Sequence, residues 1–165
     1  MKKALIVIDV QKGFINKLTA KIVVNIRNYL LANSKKYDLV LFTKYYNHRQ
    51  STFVKNLKWR GFMKDNETDI AEQVQEFANS KNTFIKDTYS SFLNNKLFNV
   101  LKKNKIKQVE LVGFDTENCV LTFARDAFDR GMAVVVYKNL TASHASLRLH
   151  RTALEIIELN IGHIK

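Results

Sequence analysis

The sequence predicts an α/β domain, a parallel sheet covered by helices on both faces. Two observations carry this. Short runs of continuous apolar residues, the pattern of strands buried on both faces, alternate with stretches whose apolar residues recur at helical spacing. Single charged or reactive residues then follow directly on three of those runs: Asp9, Lys86 and, a few residues on, Cys119. In parallel sheets ligands bind beyond the carboxyl ends of the strands, so that placement is informative in itself.

The elements follow in order. Ala4 to Ile8 is the first strand. Residues 19–33 form a helix with Ile22, Ile26 and Leu30 on one stripe and Thr19 as its N-cap. Leu39 to Phe42 is the second strand. The stretch 44–65 has little periodicity and reads as a long loop carrying Phe53, Leu57, Trp59, Phe62 and Met63. Ile70, Val74 and Phe77 predict a helix, Thr83 to Ile85 a strand, and Leu93, Leu97, Val100 and Leu101 a further helix. Val109 to Val112 is a buried strand that Gly113 is expected to break. From Cys119, the spacing of Val120, Phe123, Ala124, Ala127 and Phe128 predicts a helix ending near Gly131. Met132 to Tyr137 reads as a strand, residues 145–159 as the last helix, and Ile161 to Ile164 as a final short strand.

The 165 residues suffice for one domain, 1–165, with a substantial core. The apolar run at the N-terminus stops at Asp9, too early for the core of a signal peptide. No stretch approaches the roughly 18 apolar residues of a membrane span. A single cysteine allows no internal disulfide, which makes a cytoplasmic location the expectation. The net charge of +12 invites a nucleic-acid reading, but the lysines are scattered singly and in pairs with no dense tract or readout motif. Neither a nucleic acid nor a membrane is expected as partner.

Cys119 sits where a strand turns into a helix, a setting whose unpaired N–H groups and dipole favour a thiolate. The ordinary alternative is a small buried hydrophobe. Asp9 ends an apolar strand, where a carboxylate must be paired, hydrated or functional, and Lys86 is likewise the first charge after a strand. An acid, a cation and a thiol on one sheet edge suffice for a cysteine nucleophile activated by a carboxylate base.

The segments Ile6-Val-Ile-Asp-Val-Gln-Lys-Gly-Phe14, Lys86 with Tyr89-Ser-Ser-Phe92, and Val112-Gly-Phe-Asp-Thr-Glu-Asn-Cys-Val120 resemble the isochorismatase-like cysteine hydrolases. That superfamily includes the nicotinamidases and related amidohydrolases. Residues 138–144, Lys-Asn-Leu-Thr-Ala-Ser-His, are similar to the family's segment after its fifth strand. The resemblance covers essentially the whole chain, with its motifs in order. It implies a three-layer, Rossmann-like sandwich with a six-stranded parallel sheet, a catalytic triad of Asp9, Lys86 and Cys119, and a cis peptide between Phe114 and Asp115. It further implies an oxyanion hole formed by the backbone N–H groups of Asp115 and Cys119. The implied reaction is hydrolysis of a C–N bond in a small amide through a Cys119 thioester. Family members that cleave isochorismate's vinyl ether lack the cysteine. Dimers or tetramers are common in the family, and the aromatic stretch 53–63 is a candidate subunit contact.

The chain also departs from the nicotinamidase pattern. Nicotinamidases carry an Asp and His residues after the second strand that hold a divalent metal. Tyr45 and Asn47 fall at those places here and His48 alone remains nearby, so no metal and no other cofactor is expected. Phe14, Tyr45, Tyr46, His48 and Phe53 are the candidate pocket residues. Asp115 and Glu117 beside the thiol suit a helix's first turn; facing the pocket, they would raise the thiol pKa and favour a cationic substrate. His144 and Arg125 read as supporting residues. A non-hydrolytic member of the fold, binding a metabolite or partner or sensing redox state through Cys119, stays open as the alternative.

Overall fold

The computed structural model describes residues 1–93 and 95–165. Its strands are β1 (Lys3–Ile8), β2 (Leu39–Tyr45), β3 (Thr83–Lys86), β4 (Gln108–Phe114), β5 (Ala133–Ala142) and β6 (His163–Ile164). They form one parallel sheet in the order β3-β2-β1-β4-β5-β6. The order reverses direction between β1 and β4, and a crevice opens at such a switch point beyond the carboxyl ends. The three-layer sandwich read from the sequence is therefore present.

β1 shows how the layers are built. Its side chains alternate between faces, so Leu5 and Val7 join one core and Ala4, Ile6 and Ile8 the other. The first core meets helix α1 (Ala20–Asn33) through Val23, Ile26 and Leu30. The second takes Leu97 and Leu101 from α5 (Lys96–Lys103), Phe123, Ala124 and Ala127 from α6 (Leu121–Asp129), and Ile157 from α7 (Leu147–Asn160). Each fully buried valine, leucine, isoleucine or phenylalanine among these contributes roughly 1.5–3 kcal/mol.

The structure departs from the sequence reading in several places. Thr19 precedes α1 without capping it, because its hydroxyl donates to the Phe14 carbonyl at 2.8 Å. The loop 44–65 begins inside β2, holds one short helix, α2 (Thr52–Leu57), and ends at the start of another, α3 (Asp65–Thr68). The helix expected through Ile70 and Phe77 is a single turn, α4 (Glu72–Gln75). Main-chain pairing explains this: Ala71 N–H donates to the Val10 carbonyl and Ile70 bridges to Gln11, which holds the chain extended just where the helix was to begin. Leu93 lies outside α5 and is exposed.

Gly113 does not end β4. It continues the strand at φ 115°, and a Cβ there would sit 2.0 Å from the Ile8 carbonyl oxygen, so only glycine fits between β4 and β1. β5 runs further than its apolar run because of an irregularity. Leu111 pairs with Val136 but Gly113 with Thr141, so residues 137–140 bulge before pairing resumes.

Candidate active site

Asp9, the residue after β1, is wholly buried and holds a left-handed backbone at φ 48°. A non-glycine residue there costs on the order of 1–3 kcal/mol and persists only where its surroundings over-determine it. Here Gln11 N–H donates to the Asp9 carbonyl at 2.8 Å, and the Thr43 hydroxyl donates to Asp9 Oδ1 at 2.6 Å. The other oxygen, Oδ2, faces Lys86 Nζ at 2.7 Å.

Lys86 ends β3, two strands away, and its long side chain spans that distance beneath the Tyr45 ring. Its ammonium donates to the Thr88 carbonyl at 3.0 Å and to Cys119 Sγ at 3.2 Å. The three N–H bonds of this ammonium thus face three acceptors. Burial works against the charge, yet Asp9 and Cys119 outweigh it and hold the Lys86 pKa above its ordinary value.

Cys119 lies in a π-helical turn, Thr116–Val120, in which Val120 N–H donates to the Asp115 carbonyl at 3.0 Å. Such turns recur at functional sites because the extra residue re-aims a side chain. The peptide between Phe114 and Asp115 is cis. Burial is the largest influence on the thiol and raises its pKa; Lys86 lowers it, and Asp9 raises it again. The thiolate expected from the helix dipole is therefore not favoured, since desolvation of the charged form dominates.

Cys119 opens onto a cavity of about 390 Å³, with Asp9 and Lys86 buried behind it. Phe14, Tyr45 and Phe53 line it, joined by Trp59 and Tyr89 on the aromatic side and by Asp115, Asn118 and His144 near the thiol. The aromatic walls brace one another: Tyr45 meets Phe53 at 5.3 Å and Trp59 at 5.9 Å, and Phe53 meets Tyr89 at 4.8 Å between ring centroids. Edge-to-face and tilted contacts of this kind stabilise rigid walls. The stretch 53–63 thus supplies walls of the cavity, with Phe53 and Phe62 buried in their own chain.

Tyr46 and His48 lie outside the cavity, a correction to the sequence reading. Tyr46 follows Tyr45 at the end of β2 and points the other way, partly exposed. His48 pairs outward with Asp87, Nε2 to Oδ2 at 2.9 Å.

The residues at the nicotinamidase metal positions do not fit a metal. Tyr45 is part of the aromatic wall. The Asn47 amide donates to the carbonyls of Trp59 and Gly61, and its oxygen accepts from Ser51 and from His48 N–H. Both polar ends of Asn47 therefore close the loop. Gln11 has a similar role and escaped the sequence reading. Its Nε2 donates to the carbonyls of Tyr45 and Thr68, and its Oε1 accepts from Tyr45 N–H at 2.7 Å. A buried glutamine two residues past a strand-end acid was the available signal.

The acids beside the thiol are both engaged. Asp115 Oδ1 accepts from His144 N–H at 2.8 Å and Oδ2 pairs with His144 Nδ1 at 2.6 Å. Glu117 accepts from the Ser143 hydroxyl at 2.6 Å, and burial raises its pKa. Arg125 lies on α6, outside the cavity lining.

Comparison with known proteins agrees with this architecture. The chain is similar to "Nicotinamidase 3" of Arabidopsis thaliana, 29% identical over 167 residues that cover 98% of this chain and 83% of that protein. Among solved structures it is similar to an isochorismatase-like hydrolase from Alkaliphilus metalliredigens, with a TM-score of 0.87 at 18% identity, covering 100% of this chain and 95% of that one. It is also similar to a pyrazinamidase/nicotinamidase from Streptococcus mutans, with a TM-score of 0.84 at 26% identity, covering 99% of this chain and 100% of that one. The family model for the isochorismatase domain matches residues 3–164, and the chain belongs to the isochorismatase family.

Proposed function

We propose that this protein is a cysteine amidohydrolase that cleaves the C–N bond of a small amide. The observation that carries the reading is the contact of one ammonium with both a carboxylate and a thiol, Lys86 to Asp9 at 2.7 Å and to Cys119 at 3.2 Å, beside an aromatic cavity. The names of the relatives, a nicotinamidase and a pyrazinamidase/nicotinamidase, point to the same bond type.

In this reading Cys119 rests as a thiol, since burial disfavours its anion. As the sulfur attacks the amide carbonyl, its proton passes to Asp9, so a free thiolate never has to accumulate. Lys86 stabilises the charge that develops between them. The N–H groups of Asp115 and Cys119 hold the tetrahedral oxyanion, a contribution on the order of 10²–10³ in rate for each donor. Asp9 then protonates the leaving amine or ammonia, and water hydrolyses the thioester. The raised thiol also argues against the redox-sensing alternative, which needs an exposed, low-pKa cysteine.

No step runs through a metal, because the side chains at the nicotinamidase metal positions are committed elsewhere. Assembly as a dimer or tetramer belongs to the same proposal, and sedimentation tests it. The decisive experiment is ammonia release from a panel of small amides. Turnover by the wild type with loss in Cys119→Ala supports the reading. No release from any amide, or release that survives in Cys119→Ala, overturns it.

A further inference from the structure

The wall of the cavity nearest the thiol carries a built histidine. His144 is fixed by four contacts: its N–H donates to Asp115 Oδ1, its Nδ1 pairs with Asp115 Oδ2, its carbonyl accepts from Asn16 Nδ2 at 2.7 Å, and its ring meets Phe14 at 5.3 Å. The bulge in β5 delivers it there by shifting the register just before Thr141. Asp115 is buried behind the ring, whereas the His144 side chain is 41% exposed and lines the cavity. Its Nε2 has no hydrogen-bond partner among the described residues.

We propose that His144, oriented by Asp115, is the specificity-determining residue of this cavity, and that its Nε2–H binds a carboxylate carried by the substrate. The inference rests on the amidase reading of the cavity and names its substrate class: a small amide with a second, anionic group. Acids close to the thiol suggest, as sequence, a preference for cations. The structure reverses that sign. The imidazole covers the Asp115 carboxylate and Glu117 does not line the cavity, so the titratable group this wall adds beside the thiol is His144 Nε2, a donor in the imidazolium form.

The Asp115 carboxylate holds the neutral ring's single proton on Nδ1, so Nε2 carries a hydrogen only in the imidazolium: protonation creates the donor and charges it together. The hydrogen bond to Asp115 is the largest influence on His144 and raises its pKa, burial lowers it, and the charges of Asp115 and Glu117 raise it further. Lys86 cannot serve a substrate anion in the same way, because its three N–H bonds already face Asp9, Cys119 and the Thr88 carbonyl. The remaining walls are the aromatic rings of Phe14, Tyr45, Phe53, Trp59 and Tyr89 with Leu57, and Asn118 adds a neutral amide that brings no charge. The net charge of +12 also draws anions toward the protein.

Two alkylating reagents of nearly equal size test this. Iodoacetate carries a carboxylate and iodoacetamide does not, and both attack the same Cys119 thiolate. The ratio of their rate constants therefore cancels the extent of thiol ionisation and leaves recognition of the carboxylate. The expected result is a wild-type ratio about tenfold above that of His144→Gln. The wild-type ratio should also decline from about pH 6 to about pH 9 as the imidazolium titrates, while that of His144→Gln stays level. The titratable groups facing His144 are Asp115 and Glu117 from the turn after β4; Phe14 and Asn16, packed from the other side, bring none.

Equal ratios in wild type and variant, or a wild-type ratio independent of pH, overturn the proposal. The pH profile uses the unaltered protein, so it stands even where His144→Gln folds poorly. Alkylation needs no amide turnover. Failure of the amide panel and failure of carboxylate recognition are thus separate results.

Discussion

The Cα of Gly113 lies so close to the Ile8 carbonyl that a Cβ there would fall 2.0 Å from its oxygen. Ile8 immediately precedes Asp9, and Gly113 stands two residues before Asp115, so this contact sets the separation of two walls of the site. Gly113→Ala must push the strands apart at a backbone angle that alanine avoids. The expected loss is about 2–5 kcal/mol, combining left-handed strain with overpacking. Urea denaturation measures it, and a change below about 1 kcal/mol would show that β1 and β4 tolerate separation.

Asp9 and Lys86 act on the thiol with opposite signs, and alkylation separates them. Asp9→Asn removes a charge that raises the Cys119 pKa and leaves Lys86 facing the sulfur. Alkylation of this variant near neutral pH should accelerate about tenfold, the equivalent of one pKa unit, while amide hydrolysis falls by at least about 10²-fold for want of the proton carrier. Lys86→Met should slow alkylation. A slower Asp9→Asn would contradict this assignment of signs.

Stability should fall at alkaline pH. Folded Cys119 and Lys86 both hold their protons more tightly than the unfolded chain does. Their contribution is complete below about 9, the ordinary value of the thiol, and is lost as the pH climbs through that value and then through about 10.5 for the ammonium. Denaturation midpoints measured from pH 8 upward should therefore decline, and Cys119→Ala should flatten the first part of that decline.

Glu110 predicts the opposite limb. It is buried and accepts from the hydroxyls of Tyr37 and Tyr137, and from Lys3 Nζ at 3.3 Å. Burial raises its pKa, but those three donors outweigh it and leave it lowered. Its stabilisation is present above the ordinary carboxylate range and is lost as the pH falls through the lowered folded value. Tyr37→Phe should cost about 1.5–3 kcal/mol at neutral pH, the range for hydrogen bonds to a charged group. The cost should shrink in acid, which paired denaturation curves at two pH values would show.

The Tyr45 hydroxyl is buried with no partner among the described residues, although its ring is part of the aromatic wall. Removing an unpaired polar atom while keeping the ring should be neutral or stabilising by up to about 1 kcal/mol. A clear loss of thermal stability in Tyr45→Phe would mean that the hydroxyl has a partner in solution.

The strands were legible because burial on both faces forces continuous apolar runs, as in Ala4 to Ile8 and Val109 to Val112. Asp9 and Lys86 stood out for the same reason, as the first charges to follow such runs. Features set by contacts across the chain were not legible. The pattern Ile70, Val74, Phe77 has helical spacing, but main-chain bonds to Val10 and Gln11 override it. Gly113 looks like a strand terminator until the Ile8 carbonyl beside it is known. His144 reaches the cavity through a bulge in β5, and a bulge leaves no periodicity to read. The thiol's raised pKa likewise reflects burial, which local sequence around Cys119 does not report.

The sheet order has a further consequence for how this protein can be studied. Residues 9, 86 and 119 meet only when β3, β2, β1 and β4 are all paired in register, so no partly assembled chain reproduces the environment of the sulfur. The lone thiol is thereby a built-in reporter of the pairing of those four strands. Its labelling rate, followed during refolding, times the closure of the longest-range contacts without any added probe.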